Sequence, residues 1–121
     1  MTALLWIGVV LLGGVGAVLR FVVDGLVSDR LDRRFPYGTL AVNLSGALLL
    51  GVVTGLTLDH DAALLAGTAT IGAYTTFSTW LFETQRLGED GELPSLAANV
   101  AVSLVLGVLA AALGRWIGGL V

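Results

Sequence analysis

Charged residues divide the chain into four long uncharged runs, Ala3–Leu19, Phe35–Leu58, Ala62–Phe82 and Leu93–Gly114. A helix rises 1.5 Å per residue, so about 20 apolar residues cross a hydrocarbon core roughly 30 Å thick. The last three runs reach that length directly. The first holds 17 uncharged residues and reads as continuing through Arg20 to about Val27. The expected elements are helices over 3–27, 37–58, 62–84 and 94–119, forming one all-α integral membrane domain over 1–121. A β-barrel would show short alternating segments instead. No basic segment precedes the first run, so it reads as a span and not as a cleaved signal peptide.

Composition closes the other routes. Of 121 residues, 12% are charged and 56% hydrophobic, whereas a soluble domain carries about 25% charged residues. Disorder needs low hydrophobicity and high charge, and a disulfide scaffold needs cysteines, of which there are none. The net charge of −3 offers no basic patch for nucleic acid. The acids sit near segment ends and read as solvated.

The connections are short. Asp24–Arg34 holds most of the charge, Asp59-His60-Asp61 reads as a polar turn, and Gln85–Glu92 reads as a loop. Pro36 and Pro94 stand at the starts of runs, where proline suits a first helical turn. Four spans place the termini and Asp59–Asp61 on one side with Arg115. Arg30, Arg33, Arg34 and Arg86 lie on the other side. The positive-inside rule puts that four-arginine side in the cytoplasm.

Polar and small residues within the runs are the candidates for function. Gly51 and Gly55 make a GxxxG pair, which suits close helix packing within the chain or between subunits. Thr39 and Asn43 share one helix face, and Asn99, Ser103, Gly107 and Ala111 recur every four residues. Each stripe reads either as interhelical hydrogen bonding or as a track for a small polar solute or ion. Arg20 reads either as a snorkelling partner of Asp24 or as a fixed positive charge at a vestibule. Thr75-Thr76-Phe77-Ser78-Thr79-Trp80 places four hydroxyls and two aromatics in six mid-span positions, with Gly72 just before. Such side chains compete for backbone hydrogen bonds, so the helix is expected to break here. Broken backbone at membrane depth exposes carbonyls that bind cations.

Three blocks resemble the CrcB/Fluc fluoride channels. They are Gly13-Gly14-Val15-Gly16-Ala17-Val18-Leu19-Arg20-Phe21, Pro36-Tyr37-Gly38-Thr39-Leu40-Ala41-Val42-Asn43-Leu44-Ser45-Gly46, and Gly72-Ala73-Tyr74-Thr75-Thr76-Phe77-Ser78-Thr79-Trp80 followed by Glu83-Thr84. The Asn99, Ser103, Gly107 stripe is similar to the family's fourth helix. The resemblance covers essentially the whole chain. It implies four transmembrane helices with a broken third, paired as an antiparallel dual-topology dimer in a prokaryotic plasma membrane. It also implies passive fluoride efflux that lowers cytoplasmic fluoride, through two pores built from both subunits. A structural, non-transported Na⁺ at the dimer centre would be held by the carbonyls of Gly72 and Thr75. Asn43 would line the pore, Thr39, Asn99 and Ser103 would extend its polar track, and Phe77 would turn its ring edge to the anion. Arg20 would sit in the vestibule.

Two features depart from the family's pattern. Trp80 stands where the family has a second phenylalanine, and it brings an N–H donor. The four-to-one arginine split also differs from the balance a dual-topology homodimer needs. The partner is therefore either a second copy or a sister subunit with fixed opposite orientation. A small proton-coupled exporter is the alternative class, but it needs an acid in mid-span, and Asp24 and Glu83 lie near span ends. A non-conducting subunit of a heterodimeric channel is the third reading. No nucleophile–base pair is evident and His60 reads as a loop residue, so an enzyme is not expected.

Overall fold

The computed structural model describes residues 2–121, and they are all helix and turn with no strand among them. Three helices are long and apolar enough to cross a membrane: α1 (Ala3–Arg30), α2 (Tyr37–Gly55) and α6 (Leu93–Gly119). Between α2 and α6 the chain is helical in pieces. A rod made of α3 (His60–Ala63), a π-helical stretch (Leu64–Ile71) and α4 (Gly72–Tyr74) ends at Thr75, and α5 (Ser78–Glu89) resumes after it.

Helices α1, α5 and α6 outrun the apolar runs that signal them. Helix α1 continues past Val27 to Arg30, so much of the expected Asp24–Arg34 connection is helix. Hydrophobic length measures the hydrocarbon core, not the helix, and polar turns extend into the headgroups. An Arg33–Asp29 ion pair and an Arg34–Asp32 pair at 2.9 Å organise the turn that follows. The Arg34 guanidinium holds the Asp32 carboxyl below the usual carboxylate range. Helix α2 ends at Gly55, before the expected Leu58. The reversal lies at Leu56–Asp59, where Thr57 takes a left-handed φ of 52° at a cost of roughly 1–2 kcal/mol. Asp59 then caps α3, its side chain accepting from Ala62 N at 2.8 Å. His60 and Asp61 therefore stand in a first helical turn and not in a loop. Likewise Gln85–Glu89 is helix, and the turn is confined to Asp90–Glu92. Gly91, at φ 74°, closes a Schellman motif with Glu92 N to Leu87 O at 2.9 Å and Gly91 N to Gly88 O at 3.2 Å.

Packing is made by glycines. A Cβ at Gly51 or Gly55 on α2 would strike the carbonyls of Ala111 and Arg115, and one at Gly114 or Gly118 on α6 would strike those of Leu48 and Val52. The Gly51/Gly55 pair thus serves packing inside the chain, with a reciprocal pair on α6. Gly16 on α1 sits equally close to the Thr70 carbonyl of the π-helical stretch. In that stretch the Thr70 hydroxyl donates to Leu65 O at 2.7 Å.

The interior is small and partly polar. Val42, Thr39 and Asn99 are at most 2% exposed, while large apolar side chains such as Leu4, Val10, Phe21 and Leu109 are more than half exposed. Apolar surface outside and hydroxyl and amide groups inside suit a lipid solvent, where buried polar groups must find partners within the bundle.

Candidate functional site

The break is held open by one amide. Asn43 Nδ2 donates to Thr76 O at 2.8 Å, and Asn43 Oδ1 accepts from Thr76 N at 2.9 Å. In a continuous helix the Thr76 N–H would point at Gly72 O. Diverting it to Asn43 frees the Gly72 carbonyl. The Thr79 N–H, which would serve Thr75 O, instead goes to Thr76 Oγ1 at 3.2 Å. Thr75 O then accepts from Arg20 Nη1 at 3.2 Å. Thr75 itself is extended, with ψ 162°. The hydroxyl-rich block therefore breaks the helix as expected, and Asn43 is the residue that fixes the geometry.

The sequence-predicted residues fall into two neighbouring spaces. Arg20 and Thr39 line a cavity of about 180 Å³ with Asp24, Thr76 and Thr79. Asn43, Phe77, Trp80 and Ser103 line a more open groove of about 360 Å³, floored by Gly46 and Ala47. Thr76 borders both. Arg20 does not reach Asp24 in a salt bridge; Asp24 Oδ1 accepts from Ser28 Oγ at 3.2 Å instead. Phe77 is 69% exposed, and its ring lies 5.6 Å from that of Trp80, tilted by 51°. Neither space carries an acid other than Asp24. The available anion ligands are hydroxyls, amides, ring edges and one guanidinium.

Asn99 stands apart from both spaces, packed at 1% exposure between α5 and α6. Its Nδ2 donates to Thr84 Oγ1 at 2.9 Å, Thr84 Oγ1 donates to Trp80 O at 2.7 Å, and Trp80 Nε1 donates to the Asn99 carbonyl at 3.3 Å. Asn99 Oδ1, Ser103 Oγ and Glu83 Oε1 are buried without a partner.

Candidate cation ligands are the two carbonyls freed at the break. No cluster of three or more His, Cys, Asp or Glu side chains occurs among the described residues. A hard cation suits carbonyl oxygen. Gly72 O has lost its helical donor, and Thr75 O has a second lone pair beside the bond from Arg20. Gly72 O is the freer of the two, since the Arg20 guanidinium already places a positive charge on Thr75 O.

The pattern of the family described as CrcB-like protein, Camphor Resistance (CrcB), matches residues 7–115. The chain belongs to the CrcB-like family. A curated relative from Mycobacterium tuberculosis named "Fluoride-specific ion channel FluC 2" is 63% identical over 117 residues, covering 97% of this chain and 93% of its own. One of the same name from Mycolicibacterium paratuberculosis is 62% identical over 120 residues, covering 99% and 98%. "Fluoride-specific ion channel FluC 1" from Leifsonia xyli subsp. xyli is 40% identical over 124 residues, covering 99% and 90%. All three are named as ion channels and none as an enzyme. With three helices able to span the bilayer, this CrcB-like protein is a multi-pass membrane protein.

Within this CrcB-like fold, sequence reasoning missed three partners. Thr76 carries the backbone groups that Asn43 grips, Thr84 links Asn99 to Trp80, and Ser45 Oγ meets Tyr74 OH at 2.9 Å. The spacing of Trp80 and Thr84, four residues apart on one helix face, is the signal that could have found the second.

Proposed function

We propose that this protein is a fluoride channel: passive fluoride efflux through it lowers cytoplasmic fluoride, and each pore is built from two antiparallel subunits of four spans. The observation that carries the reading is the Asn43 clamp. It holds a mid-membrane break beside a groove of hydroxyls, amides and aromatic edges that contains no acid. The names of the curated relatives support the ion.

Fluoride is small and strongly hydrated, so a pore must replace its water. The Arg20 guanidinium offers an anion a positive charge in the cavity it shares with Thr39 and Asp24. Thr39, Thr76 and Ser103 offer hydroxyl donors along the way. Phe77 and Trp80 offer the positive rims of their rings, which attract an anion without a full charge. Conduction requires binding weak enough to release, which a track of neutral donors provides. The exposure of Phe77, and of Gly72 beside the break, leaves this face for the second subunit to complete. Gly72 O and Thr75 O would hold a structural Na⁺ there, as oxygen ligands suited to a hard cation.

The arginine split favours a sister subunit as the partner over an identical copy. The deciding experiment reconstitutes the purified chain alone into liposomes and follows fluoride and chloride release. Fluoride efflux without chloride release supports a channel of identical copies. Silence alone, with fluoride efflux restored by co-purified sister subunit, supports the mixed pair. Silence in both cases overturns the channel reading.

A further inference from the structure

The groove holds one residue whose strongest donor is turned away from it. Trp80 lies in the first turn of α5, immediately beyond the break, and lines the groove with Phe77 and Ser103. Its indole N–H is spent on the Asn99 carbonyl of α6. The Asn99 side chain returns the contact through Thr84 to the Trp80 carbonyl, so both ends of Trp80 meet both ends of Asn99 in a closed circuit.

The circuit has a fixed direction. The Thr84 hydroxyl has one proton, and it goes to Trp80 O. Thr84 Oγ1 must therefore accept from Asn99, which commits the Asn99 amide to donating with Nδ2 and strands Oδ1. That oxygen is buried and unpartnered, a state that costs about 1–3 kcal/mol. An apolar residue at 99 would pack α5 on α6 with no such cost, since replacing paired polar groups by apolar ones of like shape is often neutral. Helix packing alone does not account for Asn99.

We infer that Asn99 and Thr84 form a latch that positions the Trp80 indole, keeping its N–H out of the ion path and its C–H rim in it, and so set how tightly the groove holds the anion. The inference rests on the proposed fluoride pathway. A free indole N–H is a strong neutral donor, and fluoride is a strong acceptor. Released into the groove, the N–H would hold the ion and slow its departure, whereas a quadrupole rim binds more weakly and lets it leave. The latch reconciles the tryptophan with a conducting track: the ring supplies aromatic rim, and the extra donor is absorbed by α6.

The test separates the latch from the pathway. The chain has three tryptophans, and Trp6 and Trp116 are 57% and 64% exposed. In ¹⁵N-indole spectra of the detergent-solubilised protein, one side-chain N–H is expected to exchange with solvent at least tenfold more slowly than the others. That resonance should be absent in Trp80→Phe and should exchange rapidly in Thr84→Val. In liposomes, Thr84→Val is expected to lower fluoride efflux about tenfold, while Thr84→Ser, which keeps the hydroxyl, restores it. In the Trp80→Phe background the same Thr84→Val change should cost less than twofold, because no indole N–H remains to be released. Fast exchange at Trp80 in the unaltered protein overturns the latch whether or not the chain conducts. An equal loss from Thr84→Val in both backgrounds overturns it as well, leaving Thr84 with structural weight only. Absence of fluoride efflux from the unaltered protein both alone and with its co-purified sister subunit, with a protected indole, overturns the pathway reading and the latch's role in it, while the hydrogen bond itself stands.

Discussion

Asn43 shows how a single side chain converts a helix into a site. Its amide both donates to and accepts from Thr76, which an aspartate cannot do, because an ionised carboxylate only accepts. Asn43→Asp loses the bond to Thr76 O and sets a negative charge against that carbonyl. Losing one partner of a buried bond costs about 1–3 kcal/mol, more with charge. Fluoride efflux is expected to fall to background, with a lower unfolding midpoint in detergent; undiminished flux would remove Asn43 from both clamp and pathway. Arg20 acts over a longer range. Arg20→Gln is expected to lower efflux several-fold at low ionic strength and much less at high, since the screening length shrinks from about 30 Å at 0.01 M salt to 3 Å at 1 M. A loss independent of salt assigns the role of Arg20 to its bond with Thr75 O instead of to its field. At this scale the sequence was informative about identities and poor about pairings. Arg20, Thr39, Asn43 and Phe77 stand out because polar or clustered aromatic residues in a span are unusual. That Asn43 grips a backbone, or that the Trp80 N–H is absorbed by α6, depends on where two distant segments meet, and no local pattern encodes it.

The elements were legible wherever hydrophobic length was the signal, and less so at their ends. Three spanning helices and the position of the break follow from run length and from the hydroxyl cluster. The polar ends of α1 and α5 look like loops in sequence, because charge marks the end of hydrocarbon and not the end of a helix. The π-helical stretch Leu64–Ile71 carries no charge or turn signal at all. The glycines of α2 and α6 differ sharply in tolerance. A Cβ at Gly51 would enter the Ala111 carbonyl, and one at Gly114 the Leu48 carbonyl, so the helices themselves must separate to admit it. Overpacking costs typically 1–3 kcal/mol and more where backbone must move. Gly51→Val is expected to destabilise the chain by about 3 kcal/mol. Gly107, on the same helix α6, has open space around it. Gly107→Ala is expected to add about 0.5–1 kcal/mol by removing backbone freedom from the unfolded helix. Thermal unfolding of both variants in one detergent checks the contrast. A destabilising Gly107→Ala would show instead that this position packs against a second subunit.

At the scale of the whole molecule, the distribution of charge bears on the proposed pairing of two chains. Arg30, Arg33, Arg34 and Arg86 gather at the end of the molecule that holds the α1–α2 turn and the Asp90–Glu92 turn, leaving Arg115 towards the other end. Arg33 and Arg34 are paired with acids, yet the positive-inside rule counts basic residues and not net charge, so the pairing does not cancel them. A chain that inserts both ways needs no such bias; a chain with one orientation needs a partner that inserts oppositely to complete an antiparallel pair. The absence of cysteine makes the orientation directly readable, because one introduced thiol is the only target. Asp90→Cys places it in an exposed turn on the four-arginine side. With the chain expressed alone in bacteria, a membrane-impermeant thiol reagent is expected to label it only after the cells are opened. Labelling of about half the molecules in intact cells would show both orientations and make the second subunit an identical copy. Single-sided protection, joined to silence of the lone chain in liposomes, makes the groove beside Phe77 one half of a site that only an oppositely inserted sister completes.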